Sequence, residues 1–268
     1  MTDHATLSPS SRSRWKRCPG SVRETIGLPD QPSGPSAVDG THSHTLLEHC
    51  IKADLADPLN MVGLKMKDHD GEFVVDRARA ERVKIAVDYL GERVNHSATV
   101  LAESRVNPEH LLGRKDLSGT VDVQIVTGRN VEIIDYKDGF NPVSAENNDQ
   151  LEQYAFGVLA GYKLPINGEY PIDTITMTII QPKLALRGLN PISSCTVTVQ
   201  EMLGKIGQIV VEAAATDDPK APLVPGETQC KYCRARGSCS ALATNVMKDI
   251  GVMFQPMVQS APVDEISH

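Results

Sequence analysis

Apolar and polar residues alternate through 118–127, break, and alternate again through 131–137. A period of two marks a half-buried strand. The break, Thr127-Gly128-Arg129-Asn130, supplies turn backbone, so the pattern predicts a β-hairpin. A third strand is predicted over 98–106. A fourth, over 173–181, is rich in β-branched residues and ends at Pro182. Helical spacing appears in four places. Residues 40–54 put His44 and Glu48 on one face. Residues 76–95 carry a stripe of Val83, Val87 and Leu90. Residues 147–161 align Gln150 with Tyr154, and 199–215 form the last helix. Residues 1–14 are polar and Ser-rich and read as a flexible start. Residues 28–39, with Pro29, Pro32 and Pro35, read as a loop, and the tail after about residue 254 reads as loose. No internal repeat is visible. The order strand, strand, strand, helix, strand predicts an α/β fold, a mixed sheet with helices on its faces.

Composition narrows the function classes. A chain of 268 residues can bury a good core as one large domain, with or without a small appendage. No apolar run approaches the ~20 residues that span a bilayer. The first residues lack a charged segment followed by an apolar one, so the expected compartment is cytoplasmic, with no membrane partner. The net charge of −7 argues against a protein that coats DNA nonspecifically. It leaves room for a local basic groove. Three clusters could line one or be ordinary solvated surface: Arg12/Arg14/Lys16/Arg17, Arg77/Arg79/Arg82 and Lys231/Arg234/Arg236.

Candidate chemistry sits on the hairpin. Asp122 lies in its first strand, and Asp135 and Lys137 end the second, on the same face, with Tyr136 opposite. Converging carboxylates and an ammonium are costly in a core. They are useful around a divalent cation, which carboxylates hold and beside which a lysine orients or deprotonates a water. The rival reading is a surface salt bridge worth ~0–1 kcal/mol. Flanking Val131, Ile133 and Ile134 favour a buried strand whose end carries charge. Glu103 in the preceding strand is either a further ligand or surface, and Glu132 is expected to face solvent. There are six cysteines: Cys18, Cys50, Cys195, Cys230, Cys233 and Cys239. The C-x2-C-x5-C run near the C-terminus reads as metal binding before disulfide. Cys50 and Cys195 have no such neighbours and read as small buried hydrophobes.

Gly119-x-x-Asp122 followed by Asp135-Tyr136-Lys137 resembles the core motif of the PD-(D/E)XK nuclease superfamily. Gln150-x-x-x-Tyr154 and Gly40-x-x-x-His44 resemble two further motifs of its RecB-like branch, which includes CRISPR-associated RecB-like exonucleases and AddB. The matches run in order over roughly 40–160. The opening Ser13-Arg14-Trp15-x-x-Cys18-Pro19-Gly20-Ser21 is similar to a phage- and prophage-associated family of that branch.

The resemblance implies a restriction-endonuclease-like core and Mg²⁺- or Mn²⁺-dependent cleavage of DNA, exonucleolytic at its ends, in phage recombination or end processing. Recombination or replication proteins become possible partners. It implies a metal held by His44, Asp122 and Asp135, with His42 a rival to His44 by position alone. Lys137 would act on the water, and Gln150 and Tyr154 would contact substrate or the lysine. It also implies that Cys18, Cys230, Cys233 and Cys239 hold a [4Fe–4S] cluster tying the two chain ends together, zinc being the alternative. The expected layout is an N-terminal segment 1–39 carrying one cluster cysteine, a nuclease core 40–218, a cluster segment 219–254 and a tail 255–268. The competing reading is a catalytically idle DNA-binding or assembly subunit that keeps the fold and the cysteine clip.

Overall fold

A computed structural model describes residues 5–29, 32–94, 96–162 and 170–253; the expected loose tail lies outside them. Two short helices, α1 (Arg12–Trp15) and α2 (Gly20–Thr25), precede the long α3 (Pro35–Lys52). A two-stranded ribbon follows, β1 (Lys65–Asp68) and β2 (Gly71–Val74), then α4 (Arg77–Gly91). The main sheet comprises β3 (Thr99–Val106), β4 (Gly119–Thr127), β5 (Asn130–Tyr136), β6 (Thr174–Ile180) and β7 (Ile192–Thr198). Helix α5 (Glu109–Leu112) joins β3 to β4, and α6 (Asp149–Gly161) lies between β5 and β6. After β7 come α7 (Val199–Gly204), α8 (Ile206–Ala214), α9 (Glu227–Cys230) and α10 (Ser240–Met253).

The sheet order is β3-β4-β5-β6-β7. All neighbours are antiparallel except β5 and β6. A parallel pair needs a long crossover, and α6 belongs to it. Helices cover both faces. One core packs Val131, Ile133, Ile175 and Met177 against α6. The other packs Ile134, Tyr136 and Ile180 against α3 and α4. The α/β expectation of a mixed sheet flanked by helices therefore holds.

Local chemistry sets the element ends. Asn148 caps α6, its side chain accepting from the backbone N–H groups of Gln150 and Leu151 at 3.0 and 3.1 Å. Asp76 caps α4 through the N–H of Arg79 at 2.8 Å. Helix α3 starts at Pro35, inside the stretch expected to be a loop. A proline in the first turn gives up an N–H that has no helical partner anyway, so it starts a helix rather than blocking it. The expected boundary between residues 39 and 40 therefore lies within α3.

The start of the chain is not flexible over its described residues. Leu7 and Trp15 are buried in the core under α6, and Arg12 is 1% exposed. The guanidinium of Arg12 lies between Glu152 and Glu212, at 3.3 and 2.9 Å. A Ser-rich composition hid the apolar anchor Leu7 and a paired charge. The expected helix over 199–215 divides at Lys205 into α7 and α8. Among the strands, β7, whose sequence is mostly Ser and Thr, and the four-residue β1 and β2 gave no clear signal.

Candidate metal centre

The carboxylates meet where the sheet opens. On β3 and β4, Ala102 pairs with Val123 and Ser104 with Val121, but Glu103 and Asp122, which stand between them, do not pair. The β4–β5 ladder likewise begins at Val123 and Ile134, leaving Asp122 and Asp135 beyond its end. Glu103 has φ +47°, a conformation non-glycine residues rarely take. The strands turn over at this layer. On β4, Val123 and Ile125 face α3 and α4, whereas Val121 faces the α6 core; on β3, Val100 and Val106 divide the same way. Regular alternation would keep such residues on one face. The reversal leaves Glu103, Asp122 and Asp135 on three adjacent strands without a ladder between them.

Side chains gather around this gap. Asp122 Oδ2 accepts from the backbone N–H of Tyr136 at 2.7 Å, fixing the carboxylate across the open hairpin. His44 reaches over from α3, its Nδ1 3.6 Å from Asp122 Oδ2 and its ring edge-on to Tyr136. One potential ligand atom each from His44, Glu103 and Asp122 lie within 4.8 Å of one another. Asp135, 2% exposed, is held from the other side. Gln150 Nε2 donates to its Oδ1 at 2.8 Å and to Tyr154 Oη at 3.1 Å. Lys137 Nζ donates to Gln150 Oε1 at 2.9 Å and to Asp135 Oδ1 at 3.2 Å. Lys137 Nζ also stands 2.9 Å from Asp135 Oδ2, an ion-pair contact outside hydrogen-bond geometry, so that buried oxygen has no hydrogen-bond partner.

The electrostatics reflect crowding. Burial, then the charge of Asp122, pushes the Glu103 carboxyl up to about 7. Burial raises the Asp135 carboxyl as well, with Lys137 opposing and Asp122 adding to the rise. Burial works against the Lys137 ammonium, but Asp135 outweighs it, so the lysine stays protonated. The Tyr154 hydroxyl is raised well above its usual value by burial and by Asp135 and Asp122. Three carboxylates share one lysine, with a histidine at the edge and a buried oxygen lacking a hydrogen-bond partner. That donor set fits a hard divalent cation such as Mg²⁺ or Mn²⁺.

The six residues expected at this site, His44, Asp122, Asp135, Lys137, Gln150 and Tyr154, are thus linked through these contacts. The tightest ligand cluster, however, contains Glu103 in place of Asp135. Glu103, open between ligand and surface in the sequence, joins that group from a backbone of positive φ. His42 is settled by its stacking: its ring lies 4.1 Å from Phe73 of β2, and its Nε2 is 3.7 Å from Asp68. Glu132, expected to face solvent, accepts from Tyr89 and Thr178.

Glycine identity matters at Gly119, where a Cβ would come within 2.6 Å of Pro9 and 2.9 Å of Tyr154. The site is steadied from α3. Asp39 and Ser43 of that helix join Asp138, Arg79, Arg82 and Lys183 in a closed ionic network. Most charges of two basic clusters are answered by acids within the fold. Arg79 and Arg82 answer Asp39 and Asp138, Arg12 answers Glu152 and Glu212, and Lys16 and Arg17 answer Asp149.

At the far end, Cys18, Cys230, Cys233 and Cys239 line one cavity with Leu223, Pro225 and Ala235. All four are free thiols. Backbone N–H groups point at two of the sulfurs, Val224 to Cys18 at 3.2 Å and Gly226 to Cys230 at 3.4 Å. Such donors favour thiolates and tune sulfur-bound metals, so this donor set fits an iron–sulfur cluster or zinc. Gly20 permits the approach: a Cβ there would meet the Ala221 carbonyl at 2.6 Å. Cys50 is buried elsewhere, its thiol pushed up to about 11 by burial, and Cys195 sits on β7 facing the Ala145 carbonyl.

Among solved structures, one titled "Crystal structure of SSO0001" is similar over 90% of this chain and 89% of that chain, at 15% identity and a TM-score of 0.41. Residues 4–266 match a family described as "Protein of unknown function (DUF2800)". With nearly its whole length matched, the chain belongs to that family.

Proposed function

We propose that this chain is a metal-dependent DNA nuclease of the PD-(D/E)XK, RecB-like kind. The observation that carries the reading is the layer of Glu103, Asp122 and Asp135, three carboxylates on adjacent strands with no ladder pairing between them, beside one lysine. His44, Glu103, Asp122 and Asp135 would hold Mg²⁺ or Mn²⁺. When bound, the ion supplies Lewis-acid polarisation of a phosphate and a more acidic water. The chain's own residues do the positioning. Lys137 holds the attacking water and meets negative charge building on the phosphate. Gln150 keeps Lys137 and Asp135 in register, and Tyr154 fixes Gln150. Action on DNA ends, in recombination or end processing, belongs to the proposal and rests on the motif resemblance.

The test uses anaerobically purified protein, end-labelled linear DNA and Mn²⁺ or Mg²⁺. Linear DNA is degraded and covalently closed circles are spared. Asp135→Ala and Lys137→Ala each lose at least about a hundredfold in rate, the scale of removing one group that stabilises transition-state charge, while keeping wild-type circular dichroism. Full-rate cleavage by Asp135→Ala overturns the site. Comparable loss of circles removes the exonuclease label.

The four cysteines are proposed to bind a [4Fe–4S] cluster as a structural staple. Cys18 and Val224 already touch across 206 residues of chain, and closing so long a loop is worth several kcal/mol in the chain-entropy model. The anaerobic protein should be brown. Cys18→Ala should lose iron and stability together, whereas Cys50→Ala and Cys195→Ala keep the colour. Stoichiometric zinc without iron would sink the cluster and leave the nuclease proposal standing.

A further inference from the structure

An open cavity beside the candidate metal centre is lined by Gly40, Thr41, His44, Glu103 and Asp122, and also by His69. His69 comes from neither the sheet nor α3. It sits in the turn of the β1–β2 ribbon, after Asp68 and before Asp70 and Gly71. That turn is firmly built. Asp68 Oδ1 accepts from the Asp70 N–H at 2.9 Å, Gly71 has φ +131°, and Asp68 also accepts from Thr45 of α3 at 3.3 Å. The His69 side chain is 77% exposed, so packing does not demand an imidazole there. Behind it lies Asp70, whose Oδ2 is buried, has no hydrogen-bond partner and stands 3.7 Å from His69 Nε2.

His69 shares the cavity without joining the ligand cluster, whose atoms come from His44, Glu103 and Asp122. It stands in the wall of the cavity, apart from those ligand atoms. In a site that handles phosphates, the cavity belongs to the phosphate or the leaving group. An imidazole ring always carries an N–H donor on one of its nitrogens, and Nε2 stands 3.7 Å from Asp70 Oδ2.

We infer that His69 is a substrate-binding residue, delivered by the β1–β2 ribbon to donate a hydrogen bond to a phosphate oxygen of a nucleotide held at the metal centre. The inference rests on the nuclease reading for its substrate class, but its test does not need turnover. Asp70 is then a positioning residue, its buried carboxylate lying behind the ring. The ribbon, separate from the main sheet, becomes a wall of the site.

The experiment measures binding of thymidine 5′-monophosphate by calorimetry to full-length protein in saturating Mn²⁺, with Mn²⁺ affinity measured separately by electron paramagnetic resonance. His69→Ala should weaken nucleotide binding roughly tenfold or more, the size of one charge-assisted hydrogen bond, and leave Mn²⁺ affinity within about twofold. His69→Gln, which keeps a donor, should recover some of the loss. Asp70→Asn should weaken nucleotide binding less than His69→Ala. Unchanged nucleotide affinity in His69→Ala overturns the inference. So does an equal loss of Mn²⁺, which would make His69 a ligand, or no nucleotide binding by the wild type. The nuclease proposal fails separately, if wild-type protein leaves linear DNA intact.

Discussion

Helix α3 touches two acidic clusters, and they are built on opposite terms. On one side, Asp39 and Asp138 meet three cations, Arg79, Arg82 and Lys183. The Asp138 side chain is fully buried and contacts Arg82, Lys183 and Ser43. Burial tends to raise the Asp39 carboxyl, but Lys183, Arg79 and Arg82 more than reverse that and lower it to about 2. On the other side, Glu103, Asp122 and Asp135 meet Lys137 and a histidine. There the carboxyls of Glu103 and Asp135 are raised. The same chemical groups, a few residues apart, are over-compensated in one place and under-compensated in the other. Buried charge persists when it is paired. The under-compensated cluster marks the place where the fold leaves charge for something else to neutralise.

The largest expected contrast is in stability. Asp138→Asn removes one partner of a buried network and should cost about 3–5 kcal/mol in urea unfolding. Glu103→Gln should instead stabilise the metal-free protein at pH 8. That gain is about 1 kcal/mol or less, since solvent screens an exposed residue. If both substitutions destabilise equally, the distinction between the clusters is lost.

A second contrast uses metal. Mn²⁺ at a hundred times its dissociation constant should raise stability by about 2.7 kcal/mol. The gain should vanish in Asp122→Asn and survive in Arg77→Ala, whose charge pairs only with exposed Glu81 among the described residues. Equal stabilisation of Asp122→Asn would place the ion elsewhere.

The subtlest contrast is in pH. Asp39 has a lowered folded pKa, so its stabilisation is complete above its ordinary value near 3.8 and drains away as pH falls toward 2. Glu103 has a raised one. The unfolded chain releases that proton first, so metal-free stability falls as pH rises from about 4.5 to about 7. Metal-free wild type compared with Glu103→Gln should diverge in that upper window and coincide below it. Saturating Mn²⁺ should flatten the divergence.

The elements that carry regular signals were readable from the chain. The hairpin showed itself through alternation around Gly128-Arg129-Asn130, and α6 through the i,i+4 pair Gln150 and Tyr154. The contacts that link Asp135, Lys137 and Gln150 follow from those two elements meeting. What stayed hidden depends on single dihedrals or distant partners. The sequence leaves Glu103 between ligand and surface, and its place in the ligand cluster comes with a positive φ that no periodicity records. His69 reaches the cavity on a ribbon of four-residue strands, too short to stand out from a polar loop. The start of the chain reads as loose by composition, yet Arg12 is ordered by Glu212, 200 residues away.

That last pairing has a consequence for synthesis. Trp15 and Cys18 leave the ribosome early, but the surfaces that receive this segment include Glu212 and the stretch around Val224. At roughly 5–20 residues per second, about 10–40 s separate the two. Through that interval the Trp15 ring, the Cys18 thiol and the Arg12 guanidinium have no docking surface complete. The nascent chain therefore carries this strip undocked until α8 and the stretch around Val224 have been made. Its yield in a cell should depend on chaperone supply more steeply than its final stability implies.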